Sequence, residues 1–413
     1  MTGLGLQLDW RTNTCLFVDL HFCPLVEIYT SLIILYLQGR GLFSKQDIKE
    51  GETILDETPL VSTQFLWNEL YKYEACEYCL RSIEKAQAMT RRLANNPALT
   101  LPFPECCEVK TEEIVVCPQC QILYCSEECQ KASWDRHHQV LCLGSSSQDS
   151  DHPLARLQEI WRNIHYPPET ASIMLICKMI AMVKQTSDPG SMIHSFNQFV
   201  KSTINEEQQI AHKLLGQEFK DQLELLRSTT AEILFDDAIQ QWFTPEGFQS
   251  LFALIGTNGQ GIGTSSISVW VKNCDDLSLP EDKRKELDDF IDKMYEELEN
   301  AGIFLNCEGA GLYQLTSSCN HSCEPNASIT FPYNNHISSL VALKDIHPEE
   351  EIFISYISEC KRRRSRHSRQ KILRENYIFN CHCKKCNDEA DQPDVTSEED
   401  MESDEEKFKM CNL

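Results

Sequence analysis

The chain has 413 residues and a formal net charge of −25, because its 63 acidic side chains outnumber its 38 basic ones. This length suits two or three compact units. The acidity disfavours direct binding of nucleic acid, whose phosphates require a basic face. The 21 cysteines lie in clusters with metal-ligand spacings, unlike the disulfide framework of a small secreted chain. We therefore expect a metal-binding protein of a reducing compartment, the cytoplasm, the nucleus or both.

The N-terminal residues 1–38 are the least typical part of the chain. Phe22–Leu37 is strongly apolar, but it spans only about sixteen residues and contains Pro24 and Glu27. A membrane-spanning helix needs ~20 apolar residues, and the run lacks the basic flank and cleavage site of a signal peptide. We predict a buried strand here and no membrane association.

Strands and helices alternate in blocks along the chain. Residues 39–67 predict short strands, residues 145–153 predict a polar linker, and the region from there to Gly309 predicts mainly helices. Thr170–Lys184 is apolar nearly all round except for Lys178, which predicts a buried helix. Further elements are predicted as helices at Asn205–Phe243, after the Thr244 N-cap and over Leu287–Leu298, and as strands at Ala327–Phe331, Ile337–Val341 and Glu351–Tyr356.

Four pairs of residues between positions 76 and 142 have the spacing of zinc ligands. The pairs are Cys76 and Cys79, Cys117 and Cys120, Cys125 and Cys129, and His138 and Cys142. Eight ligands fill two tetrahedral zinc sites, and we expect alternating pairs to share a metal, the first with the third and the second with the fourth. The histidine favours zinc over an iron–sulfur cluster. The less favoured alternative is that some of these residues are free cysteines buried in the core.

This pattern resembles a MYND zinc module, a protein-interaction finger that implies a peptide partner. The resemblance departs from the family pattern in one place, since 37 residues separate Cys79 from Cys117. Cys106 and Cys107 lie inside that insert and could replace Cys76 or Cys79 as ligands. A second cluster, Cys381-x-Cys383-x-x-Cys386, supplies three thiolates and requires a fourth ligand from elsewhere.

A dense polar run, Asn320-His321-Ser322-Cys323-Glu324-Pro325-Asn326, is followed by E-E-E-I-F-I-S-Y and then by the second cysteine cluster. This order resembles the SET lysine methyltransferases, and a SET domain split by a MYND module is typical of the SMYD family. The resemblance covers roughly residues 39–390. It implies an α+β fold in which a split SET β-fold is interrupted by a zinc module and a helical insert and is followed by a zinc-binding segment.

The resemblance also implies domain boundaries. They are an atypical N-terminal segment at 1–38, a first SET part at 39–75, the MYND-type module with its long insert at 76–142, a helical insert at 143–255, the SET core at 256–357, a post-SET zinc segment at 358–387 and an acidic, disordered tail at 388–413. A SET sheet needs a strand before its G-x-G turn. We expect Ser31–Leu37 to form that strand and the residues before it to be poorly packed.

Residue roles follow from the resemblance. It implies that Tyr356 is catalytic, that Tyr377 and Phe379 line the substrate channel, and that Cys323 completes the zinc site of Cys381, Cys383 and Cys386. It implies S-adenosylmethionine as cofactor, together with three structural zinc ions. The implied cofactor-binding residues are Gly39, Arg40, Gly41, Asn258, Asn320, His321, Tyr356 and Phe379. Glu349 stands where the family usually has glycine, which we expect to alter a surface turn.

The implied reaction is transfer of a methyl group to a lysine amine, whose unperturbed pKa is near 10.4. A narrow aromatic channel desolvates the amine and favours its neutral, nucleophilic form. The substrate is a histone tail or a non-histone protein, including a ribosomal one. A catalytically weak, zinc-dependent interaction scaffold is the alternative. The basic run Lys361–Arg374 is interpreted as a solvated helix, with a contact to an acidic or nucleic-acid-bearing target as the second reading.

Overall fold

The computed structural model describes residues 16–17, 30–35, 39–164, 172–199, 219–300 and 306–392. Among these residues, none of the helices is both long enough and apolar enough to cross a membrane. The described residues form a mixed α+β fold in which several small sheets are wrapped by helices.

In the described part of the chain, the strands are short and fall into five small sheets. They are β1 (Leu16–Phe17), β2 (Thr30–Leu35), β3 (Gly39–Ser44), β4 (Thr53–Glu57), β5 (Val61–Gln64), β6 (Val115–Val116), β7 (Leu123–Tyr124), β8 (Gly259–Thr264), β9 (Cys307–Leu312), β10 (Asn320–His321), β11 (Ala327–Thr330), β12 (Ser338–Ala342) and β13 (Phe353–Ile354). The sheet orders are β1-β2-β3, β11-β12-β4, β5-β9-β8, β10-β13 and β6-β7. Because β4 and β5 pair with strands from beyond residue 300, the β-core is assembled from two distant parts of the chain.

The helices lie mainly between those two parts. They are α1 (Trp67–Leu70), α2 (Ala86–Leu93), α3 (Glu127–Ser133), α4 (Gln139–Leu141), α5 (Pro153–Ile164), α6 (Ile173–Gln185), α7 (Pro189–Asn197), α8 (Phe219–Leu234), α9 (Pro245–Asn258), α10 (Ser266–Asp275), α11 (Glu281–Asn300), α12 (Glu359–Arg362), α13 (Arg366–Tyr377) and α14 (Lys384–Asp388). A π-helical turn at Trp134–His138 joins α3 to α4. The α9 helix begins as the sequence predicts, since the Thr244 hydroxyl accepts a hydrogen bond from the amide of Gly247 at 3.0 Å.

The strand predicted before Gly39-Arg40-Gly41 is confirmed over the residues that the structure describes. The predicted G-x-G turn is wrong, because these three residues begin strand β3. Thr30–Leu35 pairs antiparallel with β3 along its whole length, while residues 36–38 lie outside the described part. We expected the preceding segment to be poorly packed, yet its Leu16–Phe17 forms a short strand on the other side of β2.

The predicted buried helix is confirmed as α6, which is the centre of the largest apolar core. Every residue from Ile173 to Val183 is buried, including Lys178, which the sequence suggested as an interruption. Helices α5, α8 and α9 pack around it. Within the helix predicted at Asn205–Phe243, residues 205–218 lie outside the described part and α8 confirms Phe219–Leu234. The predicted end is wrong, because Asp237–Phe243 forms a 3-10 segment that is kinked at Ile239.

The zinc module packs against the β-core and the helical insert. Its long insert carries α2, which lies against α10, and the Trp270 indole of α10 donates to the carbonyls of Pro102 and Phe103 at 3.0 Å. The last predicted strand is shorter than expected, because only Phe353–Ile354 pairs as a ladder while Glu351 makes a single bridge to Phe43. Of the disordered tail predicted at 388–413, residues 393–413 lie outside the described part. The ordered chain extends past the predicted boundary, since Asp388 ends α14 and the Glu389 carboxylate pairs with Arg369 at 2.7 Å.

Candidate active site

The polar run at 320–326 ties two strands together at the edge of the β-core. Asn320 and His321 pair in parallel with Phe353 and Ile354. The Asn326 side chain accepts a hydrogen bond from the amide of Phe353 at 2.7 Å and donates one to the carbonyl of Glu351 at 2.8 Å. A buried amide that is satisfied on both sides fixes this register. The chain that leads to Tyr356 is therefore held rigidly.

His321 links the catalytic-tyrosine candidate to the cysteine cluster. Its Nδ1 accepts a hydrogen bond from the backbone amide of Tyr356 at 2.9 Å, and its Nε2 lies 3.4 Å from the Cys323 sulfur. Burial lowers the pKa of the imidazole to about 4, so the ring is neutral at pH 7. With Nδ1 as acceptor, the single proton is on Nε2 and points to the sulfur.

Two aromatic rings, Tyr356 and Phe379, lie against this histidine, and Tyr377 packs on Tyr356. The ring centroids of Tyr356 and Tyr377 are 4.9 Å apart, and Phe379 meets Tyr356 edge to face at 6.2 Å. The Tyr356 hydroxyl donates to the carbonyl of Cys319 at 2.6 Å, and the Tyr377 hydroxyl donates to the carbonyl of Tyr356 at 3.1 Å. Burial raises the pKa of both phenols, so both stay protonated. Each hydroxyl then keeps its lone pairs available to a cation.

A cleft of about 310 Å³ opens against these tyrosines. Of the predicted site residues, it brings together Asn258, Tyr356 and Tyr377. The remaining lining residues were not predicted, and they are Thr257, Gly259, Gln260, Gly261, Tyr313, Thr316, Ser317, Ile329, Ile354, Ser355, Ile357 and Ser358. Its volume is at the lower end of the range for small-molecule sites.

Gly41, Asn320 and His321 lie beside the cleft and not among its lining residues. The Asn320 amide donates to the Glu351 carboxylate at 2.6 Å, and a Cβ placed on Gly41 would come within 2.6 Å of the same carboxylate. A side chain at position 41 would therefore require the Glu351 carboxylate to move. Gly39 and Arg40 precede it on β3, and Phe379 packs 6.0 Å from the His321 ring.

The second cysteine cluster is complete once Cys323 joins it. The sulfurs of Cys323, Cys381, Cys383 and Cys386 lie within 4.8 Å of one another. The Arg369 side chain is fully buried, and its guanidinium lies 3.3 Å from the Cys323 sulfur and 2.7 Å from the Glu389 carboxylate. The interpretation of Lys361–Arg374 as a solvated helix is therefore wrong for Arg369. Four thiolates around a divalent cation carry excess negative charge, which this guanidinium offsets.

The zinc-module ligands also gather as the spacing predicted. One cluster contains Cys76, Cys79, Cys125 and Cys129, and the other contains Cys117, Cys120, His138 and Cys142, each with its ligand atoms within 4.8 Å. Cys106 is not in either cluster, since it is buried against α10 and α11, and its neighbour Cys107 packs beside it there. The replacement of Cys76 or Cys79 by these cysteines is therefore wrong.

Three functional side chains escaped sequence reasoning. Glu57 is buried on β4 and accepts hydrogen bonds from the Leu315 and Thr316 amides at 2.9 and 2.8 Å, which positions the turn that lines the cleft. Glu351 belonged to an acidic run that looks solvated, and Arg369 to a basic one. The signal available for Glu57 was an acidic residue placed inside an apolar strand, which is rarely buried without partners.

The split β-core, the tyrosine-walled cleft and the adjoining cysteine cluster define a methyltransferase of the SET class. A family model described as SET domain matches residues 39–357. The protein-lysine N-trimethyltransferase SMYD5 of zebrafish is 56% identical over 365 residues, which cover 88% of each chain. Human SMYD5, which has the same description, is 58% identical over 363 residues, covering 88% of this chain and 87% of its own.

A more distant relative, the mouse N-lysine methyltransferase SMYD2, is 25% identical over 287 residues, which cover 68% of this chain and 50% of its own. The family match spans most of the chain, and the first two relatives align over nearly their whole length. The chain therefore belongs to the SMYD family of SET-domain protein-lysine methyltransferases.

Proposed function

We propose that this protein converts a lysine of a protein substrate to trimethyl-lysine, in the cleft beside Tyr356. The observation that carries the proposal is the convergence of Asn258, Tyr356 and Tyr377 on one cleft, from three separate segments of the chain. The printed descriptions of the zebrafish and human relatives, which name N-trimethyltransferases, support the degree of methylation.

S-adenosylmethionine supplies a sulfonium methyl group when it is bound to a SET methyltransferase. The residues present fit such a cation. Hydroxyls of Thr257 and Ser317 line the cleft, and the Glu351 carboxylate lies beside it, held by Asn320. Burial raises the pKa of the Glu351 carboxyl. A positive charge beside it would lower that pKa again, because the cation stabilises the ionised carboxylate. We assign Asn258, Asn320 and Glu351 to cofactor binding.

The protein's own contribution to the reaction is desolvation and alignment. An amine held in the cleft against the Tyr356 and Tyr377 rings loses water, and its neutral form becomes less costly relative to the ammonium. Both tyrosine hydroxyls already donate to backbone carbonyls, so only their oxygens face the amine and orient it. The ring faces also attract methylated ammonium products.

We further propose that three structural zinc ions are bound, one in each of the clusters described above. Every cluster offers four sulfur or imidazole ligands, which is the number that a closed tetrahedral zinc site needs. None of the three lies among the cleft residues, so their contribution is to hold the fold and not to react.

We propose a basic segment as the substrate, because a protein of net charge −25 attracts cationic chains at long range. A histone tail and a non-histone protein, including a ribosomal one, both meet that description. Either substrate agrees with residence in the cytoplasm, the nucleus or both.

The test is methyl transfer from labelled S-adenosylmethionine onto fractionated cell proteins, comparing the parent protein with Tyr356→Phe. We expect the variant to fold and transfer to fall by one to a few orders of magnitude, as when a positioned polar group worth roughly 3–4 kcal/mol is removed from a transition state. The matched control is Tyr333→Phe, which removes an exposed hydroxyl bonded to Asp56 at 2.6 Å. Undiminished transfer by Tyr356→Phe would exclude this cleft as the active site.

A further inference from the structure

Strand β8 presents three glycines on one face, because side chains of alternate residues in a strand share a face. They are Gly259, Gly261 and Gly263, and each is exposed. The first two are lining residues of the cleft, as are Tyr356 and Tyr377, and the third is not. Part of the cleft wall is therefore bare backbone, which we call the glycine wall, and part of it is aromatic.

The three glycines differ in what a side chain would meet. A Cβ on Gly259 would lie 2.5 Å from the carbonyl oxygen of Ile255, so glycine is required there by the end of α9. A Cβ on Gly263 would make ordinary contacts of 3.6 Å with Asn306. A Cβ on Gly261 would meet no atom within 4 Å, and the backbone of Gly261 does not have a positive φ. Neither packing nor backbone conformation requires glycine at 261, and its effect is to leave space in the cleft.

We propose that Gly261 sets the number of methyl groups that the enzyme adds, an inference that rests on the function proposed above. In each transfer an N–C bond forms as the S–C bond of S-adenosylmethionine breaks, S-adenosylhomocysteine leaves, and the nitrogen loses one proton to water. Each methyl group thus takes the place of a hydrogen of the ammonium, so the product needs more room than the substrate. The aromatic wall has little capacity to yield, because its hydroxyls are fixed to the carbonyls of Cys319 and Tyr356. The room for the second and third methyl groups must then come from the glycine wall.

Substitution by valine places three carbon atoms in that space, as many as the methyl groups of trimethyl-lysine. The valine side chain and the methyl groups of the product would then compete for the same part of the cleft. We expect Gly261→Val to add the first methyl at a rate within a few-fold of the parent protein, and its trimethyl share to fall at least tenfold as monomethyl-lysine accumulates. Gly261→Ala should give an intermediate distribution. The control Gly263→Val lies on the same strand face outside the cleft and should keep the parent distribution.

The experiment uses the full chain with S-adenosylmethionine carrying a trideuterated methyl group and proteins of a cell extract as acceptors. After acid hydrolysis, mass spectrometry counts lysines with one, two or three labelled methyl groups, so no substrate identity is needed. Unfolding temperatures with and without S-adenosylmethionine establish that each variant is folded and binds the cofactor. If valine prevents folding, Gly261→Ala supplies the same comparison with a single added carbon.

The outcomes separate this proposal from the one on which it rests. A parent protein that transfers no label, or only single methyl groups, overturns the proposed trimethylation and this inference with it. A trimethylating parent whose Gly261 variants keep its product distribution overturns the role of Gly261 alone. An equal shift in Gly261→Val and Gly263→Val also overturns it, since the effect would then not arise in the cleft.

Discussion

Glu349 occupies a backbone conformation that suits glycine better than glutamate. Its φ is 66° in the turn before β13, and its amide donates to the carbonyl of Ser44 at 2.8 Å. Residues with a Cβ are disfavoured in this left-handed region. The family usually has glycine at this position, and the left-handed conformation of Glu349 explains that preference.

We expect Glu349→Gly to stabilise the protein by roughly 0.5–1 kcal/mol, because relief of the left-handed strain exceeds the extra entropy of unfolded glycine. The free energy of unfolding in urea measures the change. Glu350→Gly is the matched control at the adjacent position, which has no positive φ, and it should lower stability. A less stable Glu349→Gly would contradict the expectation.

The sequence motifs identified single residues well and their partners poorly. Asn320, His321 and Tyr356 could be named from their order, and they do lie together. The resemblance assigned His321 to the cofactor, whereas both of its ring nitrogens face Tyr356 and Cys323. A hydrogen-bond partner 35 residues away in sequence leaves no trace in a single chain, because no local spacing encodes it.

At the scale of elements, helix α6 also could be predicted from the sequence only in part. Its length and burial follow from its apolar sequence, but the position of Lys178 does not. The Lys178 ammonium is buried, pairs with the Glu77 carboxylate at 2.5 Å and donates to the carbonyl of Ser62 at 3.0 Å. Burial alone would raise the pKa of Glu77, but Lys178, His137 and Ser133 together lower it to about 2. The pair joins the helical insert to the zinc module.

Replacing Lys178 by methionine should destabilise the protein by roughly 3–5 kcal/mol, because the Glu77 carboxylate then stays buried without its partner. Unfolding in urea measures the loss, and the double variant Lys178→Met/Glu77→Gln should recover part of it. The control is Lys184→Met on the same helix, whose ammonium donates to the Phe235 carbonyl at 3.0 Å and should cost only about 1 kcal/mol. Equal losses in the two single variants would show that the ion pair is unimportant.

At the scale of the whole molecule, the three clusters of cysteine and histidine ligands differ in their position. One adjoins the cleft, and the other two lie in the zinc module. The Cys323 cluster borders the cleft through His321, and α13, which carries Tyr377, contacts it through Arg369. The zinc module contacts the β-core away from the cleft-lining residues, for example through the amide of His336, which donates to the Cys79 carbonyl at 2.7 Å. Sequence spacing predicted the membership of the two zinc-module clusters, because short ligand pairs are local, whereas the SET resemblance assigned Cys323 to the third cluster. It could not predict which cluster adjoins the cleft without the SET resemblance.

This arrangement predicts different consequences for the loss of different zinc ions. Structural zinc contributes folding free energy of order 10 kcal/mol in small modules, so a lost ligand loosens whatever its site holds. Cys383→Ser should release the ion that supports His321 and Tyr377. It should abolish both the S-adenosylmethionine-dependent rise in unfolding temperature and methyl transfer. Cys120→Ser affects the cluster with His138 and should retain that rise in unfolding temperature, because a ligand of the folded state still finds its cleft intact.

Elemental analysis should find three zinc ions in the parent chain and two in each variant. Methyl transfer by Cys120→Ser should persist on short lysine-containing peptides and weaken on full-length proteins, because the recognition module and not the cleft is damaged. The same peptides should receive no label from Cys383→Ser. If both variants stay folded and lose the cofactor-dependent stabilisation equally, the two kinds of zinc site do not have separate roles. The His336 contact to Cys79 would then be the first candidate for the coupling between them, since it joins the zinc module directly to the β-core.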